Sequence, residues 1–192
     1  MEDDAAHHLG RVLRAQAGQL YELSDGVQVW LGRIEKVGRD RVEFALLEEL
    51  PAHQPSLHVT LLLAVVKFDM FEWAIEKATE LGVATIVPLA AARSDKALLT
   101  AAGKRAGRWK KILLEASQQS RRVRVPVLAE LAKPETVFAS PQEGLCVMLS
   151  ERPDAPTIRN VLEGQQQTNA TLAIGPEGGW TEIGRASCRE RV

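Results

Sequence analysis

The sequence has little cysteine, no long apolar run and no excess of basic residues, and each shortage excludes a class of protein. Its two cysteines are Cys146 and Cys188, too few for a disulfide framework or a thiolate metal site. The longest apolar stretch, Leu57–Val66, is ten residues long, which is too short to span a bilayer. The formal net charge of −1 does not indicate nucleic-acid binding, so any such role must depend on local basic clusters.

The start of the chain also carries no secretory signal. Met1 is followed by Glu-Asp-Asp, with no basic segment and no apolar segment of the kind that directs export. We therefore expect a cytoplasmic protein without a membrane partner. We also expect no metal, because none of the histidines stands at ligand spacing with a cysteine or a carboxylate group; they are His7, His8, His53 and His58.

The last ten residues have a different character from the rest. Residues 183–192 (IGRASCRERV) read as the in-frame translation of a common sequencing adapter, and we expect them to be an artefact. They contain three arginines and one glutamate, so the remaining chain is more acidic than the total implies.

Patterning divides the remaining chain into two parts. Residues 1–50 read as a β-rich module: helical spacing over Ala5–Arg14 is followed by three alternating segments, and Asp25-Gly26 marks a hairpin turn. We expect this module to be short at its N-terminus, because three or four strands make a thin barrel. Residues 51–56, with two prolines, read as a linker.

Residues 57–182 alternate between strands and helices, which predicts an α/β domain with a mostly parallel sheet covered on both faces. Asp69 and Glu72 have the spacing of a capping box, and Gly82 is placed to end that helix. The predicted elements are strands at 57–66, 85–89, 125–128, 145–150 and 171–174 and helices at 69–81, 104–120 and 157–162.

The glycine-rich segment after the last strand is the strongest functional signal. In Gly175-Pro176-Glu177-Gly178-Gly179, three glycines allow the backbone to approach a ligand closely. The segment has neither the dinucleotide fingerprint nor the lysine of a phosphate-binding loop. Ligands of parallel sheets bind at the carboxyl ends of strands, where Leu149-Ser150 also lies. A purely structural turn is the alternative interpretation.

The glycine loop and four further motifs resemble those of SPOUT-class methyltransferases, and more narrowly those of the RsmE family, which methylates N3 of a uridine in 16S ribosomal RNA. The resemblance covers about residues 2–182. The motifs are Leu172–Trp180, His8–Arg14, Lys77–Val83, Glu115–Ser120 and Arg124–Pro126.

The resemblance implies a PUA-like β-barrel RNA-binding module, a methyltransferase domain with a C-terminal trefoil knot, and a homodimer in the full-length protein. It implies S-adenosyl-L-methionine as cofactor, and the small ribosomal subunit as partner. The implied cofactor-binding residues are Leu149, Ser150, Ile174, Gly175, Pro176, Glu177, Gly178 and Gly179. The motif that follows the glycine loop in the family is missing, so we expect an incomplete knot in this chain.

Arginines are the remaining candidates for function. Arg93 occupies the place of the family's Glu-Arg-Ser-type loop and is the catalytic candidate, because it could stabilise negative charge that develops on a uridine. Its alternative role is that of a solvated loop residue. The basic clusters predict contacts with RNA phosphates, or else solvated surfaces. The predicted RNA-binding residues are Arg11, Arg14, Arg121, Arg122 and Arg124.

Two other functions remain open at this point. One is a non-catalytic RNA-binding protein that keeps the fold, and the other is a SPOUT methyltransferase with another RNA target.

The predicted long helix lacks a residue that the family often has. Near its end, Gln118 stands where the family often has a second glutamate, and a glutamine cannot act as a base.

Overall fold

The computed structural model describes residues 1–52, 55–140, 143–153 and 155–181. The chain divides into two compact units, Met1–Gln54 and Pro55–Val192. The predicted adapter-derived stretch, 183–192, lies outside the described residues. Within them, no helix is both long enough and apolar enough to cross a membrane.

The N-terminal unit begins with helix α1 (Asp3–His7), which continues into one π-helical turn at His8–Val12. The predicted helix is confirmed, but the apolar face that α-helical spacing predicts, formed by Leu9, Val12 and Leu13, is wrong. Val12 and Leu13 are 61% and 54% exposed, whereas Ala6 and Leu9 are buried. A π-turn takes more residues per turn than an α-helix, so the residues after Leu9 are rotated out of the α-helical register.

Three antiparallel strands complete this unit. They are β1 (Leu20–Ser24), β2 (Val29–Val37) and β3 (Val42–Leu50), in the order β1-β2-β3. The predicted hairpin at Asp25-Gly26 is confirmed: the Asp25 carboxylate accepts hydrogen bonds from the backbone N–H groups of Val27 and Gln28, both at 2.8 Å. Gly26 has a φ of +91°, which favours glycine.

The second unit is a five-stranded sheet with the order β6-β5-β4-β8-β7, and every pairing in it is parallel. The predicted parallel sheet is confirmed. Its central strand is buried at Leu61–Ala64, in keeping with its continuous apolar run. The strands are β4 (His58–Ala64), β5 (Thr85–Leu89), β6 (Val127–Leu128), β7 (Leu145–Met148) and β8 (Asn169–Ile174).

Helix α2 (Phe68–Glu80) packs on the sheet through Phe71, Ile75 and Ala78. The predicted capping box is wrong, because the residue at the N-cap is Lys67 and no side chain caps that end. Glu72 instead forms ion pairs with Arg105 (3.4 Å) and Arg108 (2.7 Å) of the next helix. The predicted helix end at Gly82 is confirmed by its φ of +98°.

Helix α3 (Lys96–Gln119) starts eight residues before the predicted position. The Asp95 side chain caps it by accepting a hydrogen bond from the Ala97 N–H at 2.7 Å, so the helix begins inside the polar segment Ala92–Lys96, which the sequence predicts to be a loop. Helix α4 (Pro134–Ala139) was not expected, and α5 (Ile158–Leu162) confirms the short helix predicted at 157–162.

Candidate cofactor site

Two loops leave the same edge of the sheet from neighbouring strands. Strands β7 and β8 pair in parallel, so the segment after Met148 and the segment after Ile174 both begin at their carboxyl ends. The pairing continues one residue beyond β7, where the Leu149 N–H donates to the Ala173 carbonyl at 2.9 Å. The two segments that the sequence singled out are therefore adjacent.

A side chain outside the predicted set joins these two loops. The indole Nε1 of Trp180 donates a hydrogen bond to the Leu149 carbonyl at 3.0 Å. Trp180 is 6% exposed, and its ring meets that of Phe138 edge to face at 5.8 Å. The only sequence signal for this contact was an aromatic residue directly after the glycines.

The glycines of the loop make room for neighbouring side chains. A Cβ on Gly175 would lie 2.9 Å from Cε2 of Trp180, and one on Gly178 would lie 3.3 Å from Cδ of Arg93. The turn is closed by a hydrogen bond from the Gly179 N–H to the Pro176 carbonyl at 2.7 Å, with Gly179 at a φ of +70°. Packing within the loop thus accounts for Gly175, and turn geometry accounts for Gly179.

Arg93 lies on the glycine loop, in the segment that follows β5. Its Nη1 donates a hydrogen bond to the Gly178 carbonyl. A small pocket beside this contact is lined by both segments and by the start of α4. The lining residues are Ala91, Ala92, Arg93, Pro134, Glu135, Gly179, Trp180 and Thr181.

The other predicted cofactor residues contribute backbone and apolar surface. Ile174 is the last residue of β8, opposite Leu63 of β4, and packs against the main core. The Ser150 hydroxyl accepts a hydrogen bond from the Arg152 N–H at 3.4 Å, which folds the chain back after β7. Glu177 and Gly178 are exposed at the tip of the glycine loop.

Arg122 has a structural role that differs from the predicted RNA contact. Its guanidinium donates to the carbonyls of Thr79 (2.8 Å), Val83 (2.8 Å) and Gly82 (3.3 Å), which lie at the end of α2. Burial lowers the pKa of Arg122, because desolvation disfavours the charged form. The three carbonyls offset that cost, so this side chain stabilises the turn between α2 and β5.

The same contacts place the basic cluster of Arg121, Arg122 and Arg124 at the amino-terminal edge of the sheet. Arg122 bonds to residues that directly precede β5, whereas the glycine loop follows the end of β8. A strand of five residues is about 16 Å long, so the cluster is far from the glycine loop of its own chain. Arg121 and Arg124 are exposed there.

Arg11 and Arg14 belong to the N-terminal unit and are exposed on and just after its helical segment. Arg14 has a φ of +52°, which is rare for a residue other than glycine. Across the described parts of the chain, no group of three or more histidine, cysteine or carboxylate side chains could hold a metal ion.

Comparison with known proteins defines the class to which this fold and site belong. Residues 53–191 match the model of an RNA methyltransferase domain, and residues 2–47 match that of an RNA methyltransferase PUA domain. The chain belongs to the RsmE family of RNA methyltransferases.

Relatives named "Ribosomal RNA small subunit methyltransferase E" include those of Synechocystis, 34% identical, and Bacillus subtilis, 30% identical. These alignments cover 92% and 93% of this chain, which spans 58% and 73% of the respective relatives.

Among solved structures, the chain is similar to a Ribosomal RNA small subunit methyltransferase E from Neisseria gonorrhoeae, bound to S-adenosyl methionine. The TM-score is 0.89 at 26% identity, with coverage of 100% of this chain and 81% of the other. A putative methyltransferase from Legionella pneumophila, also in complex with this cofactor, gives 0.85 at 27% identity, covering 97% and 77%.

Proposed function

We propose that this protein transfers a methyl group from S-adenosylmethionine to N3 of a uridine in small-subunit ribosomal RNA. The chain belongs to the RsmE family, and one observation carries the proposal. The hydrogen bond from Trp180 to the Leu149 carbonyl joins the loop after β7 to the glycine loop after β8. Ligands of parallel sheets bind at this edge, which supports the assignment of the cofactor to these loops.

The described residues fit such a cofactor. The tip of the glycine loop is exposed at Glu177 and Gly178, so its backbone is accessible. The negative charge of the Glu177 carboxylate is complementary to the positive charges of the cofactor. Leu149 and Ile174 supply partly buried apolar surface beside it. When bound, the cofactor supplies an electrophilic methyl group, and the protein supplies orientation and electrostatics.

Uridine N3 carries a proton that must leave before or during the transfer, so negative charge develops on the two flanking carbonyl oxygens. Arg93 is the described residue that we assign to this charge. Its hydrogen bond to Gly178 uses one of five guanidinium N–H donors, which leaves others to bind an oxygen of the base. A positively charged donor held against the loop needs little reorganisation during the reaction.

The test is methyl transfer from tritiated S-adenosylmethionine to small subunits that lack the modification. An N3-methyl group blocks Watson–Crick pairing, so reverse transcription at ample nucleotide concentration should stop at the modified uridine, whereas a ribose methyl group leaves pairing intact and is read through. Cofactor binding with transfer at another position would support a different RNA target. RNA binding without cofactor binding would support the non-catalytic alternative.

We further propose that Arg11, Arg14, Arg121 and Arg124 contact RNA phosphates. Each phosphate contact adds about 0.7 to 0.9 to the slope of log affinity against log salt concentration. Arg11→Gln should therefore lower that slope by roughly this amount. Arg39→Gln, at an exposed turn position of the same unit, is the matched control. An unchanged slope for Arg11→Gln would remove Arg11 from the interface.

The family resemblance also supports a closed PUA-like barrel, a trefoil knot, a cytoplasmic location and a homodimer. The outer face of α2 exposes Met70 (52%) and Trp73 (59%), apolar surface of the kind that a second copy covers. Light scattering after size exclusion measures the dimer directly, with Trp73→Gln as the variant expected to weaken it and Lys110→Gln, on the outer surface of α3, as its control.

A further inference from the structure

Trp180 is held on three sides at the carboxyl edge of the sheet. Its indole N–H binds the Leu149 carbonyl, its ring meets Phe138 edge to face, and its Cε2 and Nε1 atoms cover the space in which Gly175 lacks a side chain. With only 6% of its surface exposed, the ring has little freedom to move.

Two hydrogen bonds fix the backbone of one residue, Leu149, on both sides of its Cα. The N–H of Leu149 is bound by the Ala173 carbonyl of β8, and its carbonyl is bound by the indole. The glycine loop begins at Gly175, two residues after Ala173, and is followed directly by Trp180. Both ends of the glycine loop are therefore tied to the start of the loop after β7, and the distance between the two loops is set.

We propose that Trp180 is a positioning residue of the cofactor site. By holding the Leu149 carbonyl, its indole keeps the two loops at the separation that lets one S-adenosylmethionine molecule contact both. The inference rests on the proposed function, because it assigns a role to a residue that supports those loops. The affinity for the cofactor, rather than the rate of transfer from a saturated site, is the quantity that Trp180 controls.

The test is the substitution Trp180→Phe, which keeps an aromatic ring against Gly175 and Phe138 and removes the N–H donor. Trp109→Phe is the matched control. Trp109 is 2% exposed, and its Nε1 has no hydrogen-bond partner among the described residues. Trp109→Phe therefore replaces a buried indole by a smaller ring without breaking a hydrogen bond. Both variants are titrated with S-adenosylmethionine by calorimetry, below their melting temperatures.

We expect Trp180→Phe to raise the Kd for S-adenosylmethionine about 5- to 10-fold, which corresponds to the loss of one hydrogen bond. Trp109→Phe should leave it within about twofold. In the transfer assay, the KM for the cofactor should rise for Trp180→Phe while kcat at saturating cofactor changes by less than about twofold. If Trp180 only stabilised the fold, Trp180→Phe would lower the melting temperature without raising the KM for the cofactor selectively over kcat.

A second variant covers the case in which Trp180→Phe does not fold. Phe138 lies in α4, outside both loops, and Phe138→Leu removes the aromatic contact with the Trp180 indole. This variant should raise the Kd for S-adenosylmethionine about 2- to 5-fold. Equal affinity of wild type, Trp180→Phe and Phe138→Leu would overturn the positioning role while leaving the proposed function intact. If the wild-type chain itself binds no S-adenosylmethionine, the proposed function fails, and the positioning role fails with it.

Discussion

The guanidinium of Arg93 is hydrogen-bonded to the carbonyl of Gly178, a residue 85 positions further along the chain. The contact joins the segment after β5 to the glycine loop after β8, across the end of the central strand β4. Arg93 therefore holds the loop, and its proposed role at the substrate base would be a second one with different kinetic consequences.

Arg93→Ala separates these roles. Loss of the hydrogen bond to Gly178 should raise the Kd for S-adenosylmethionine about 3- to 10-fold, because the loop loses a charged donor. Loss of charge stabilisation should lower kcat at saturating cofactor by at least about 10-fold. Arg159→Ala, at an exposed position on α5, is the control. Full kcat in Arg93→Ala would end its assignment as a catalytic residue.

Gly175→Ala should destabilise the protein by about 1–3 kcal/mol, because the new methyl group would meet the buried indole of Trp180. Gly178→Ala should cost less, since the nearest atoms belong to the flexible Arg93 side chain. Gly107→Ala, in α3 with open space around it, should stabilise the helix by about 0.5–1 kcal/mol. Urea denaturation of the three variants measures these differences, and equal stabilities of the two loop variants would contradict the packing.

Arg122→Ala should lower the free energy of unfolding by about 1–3 kcal/mol, because three carbonyls at the end of α2 lose a charged donor. Arg122→Lys should recover only part of this, since an ammonium cannot reproduce the planar guanidinium. Lys110→Ala, on the exposed side of α3, is the control. A loss of RNA affinity at unchanged stability would restore Arg122 to the RNA-binding surface.

Asp25 predicts a pH dependence of the N-terminal unit. The backbone N–H groups of Gln28 and Val27 lower the pKa of its carboxyl below the reference value of 3.8. A lowered pKa in the folded state means that the stabilisation is fully present above pH 3.8 and is lost as the pH falls through the folded value.

Denaturant unfolding of wild type and Asp25→Asn at pH 7 and at pH 2.5, followed by circular dichroism, tests this dependence. Wild type should be the more stable at pH 7, and the difference should shrink at the lower pH. Asp40→Asn, at another exposed turn of the same unit, is the control. A difference that is independent of pH would contradict the role of the carboxylate.

The sequence could predict those features that depend on neighbours along the chain. Strand β5 was predicted with its observed bounds because an apolar run follows a helix-ending glycine, and the Asp25-Gly26 hairpin because its turn chemistry is local. The sequence-based prediction starts α3 too late because Asp95 lies in a polar segment, Ala92–Lys96, that also suits a loop, whereas its side chain caps the helix. The π-turn at His8–Val12 cannot be predicted from the sequence, because its wider register leaves no mark in the pattern of apolar residues.

The contacts that assemble the candidate site could not be predicted in this way. Trp180 reaches Leu149 over 31 positions, and Arg122 reaches Thr79 over 43. Nothing in the local sequence distinguishes an arginine that caps a distant helix from one that faces solvent, because both follow a helix and lie among other basic residues. The order of the strands decides which of these residues meet.

The strand order also has a consequence for synthesis. Strand β4 pairs on one side with β5, which follows it closely, and on the other with β8, about 110 residues later in the chain. At translation rates of roughly 5–20 residues per second, the apolar edge of β4 waits roughly 5–20 s for its second partner. During that interval the nascent chain presents an unpaired, hydrophobic strand edge, the kind of surface that chaperones bind and that aggregation starts from.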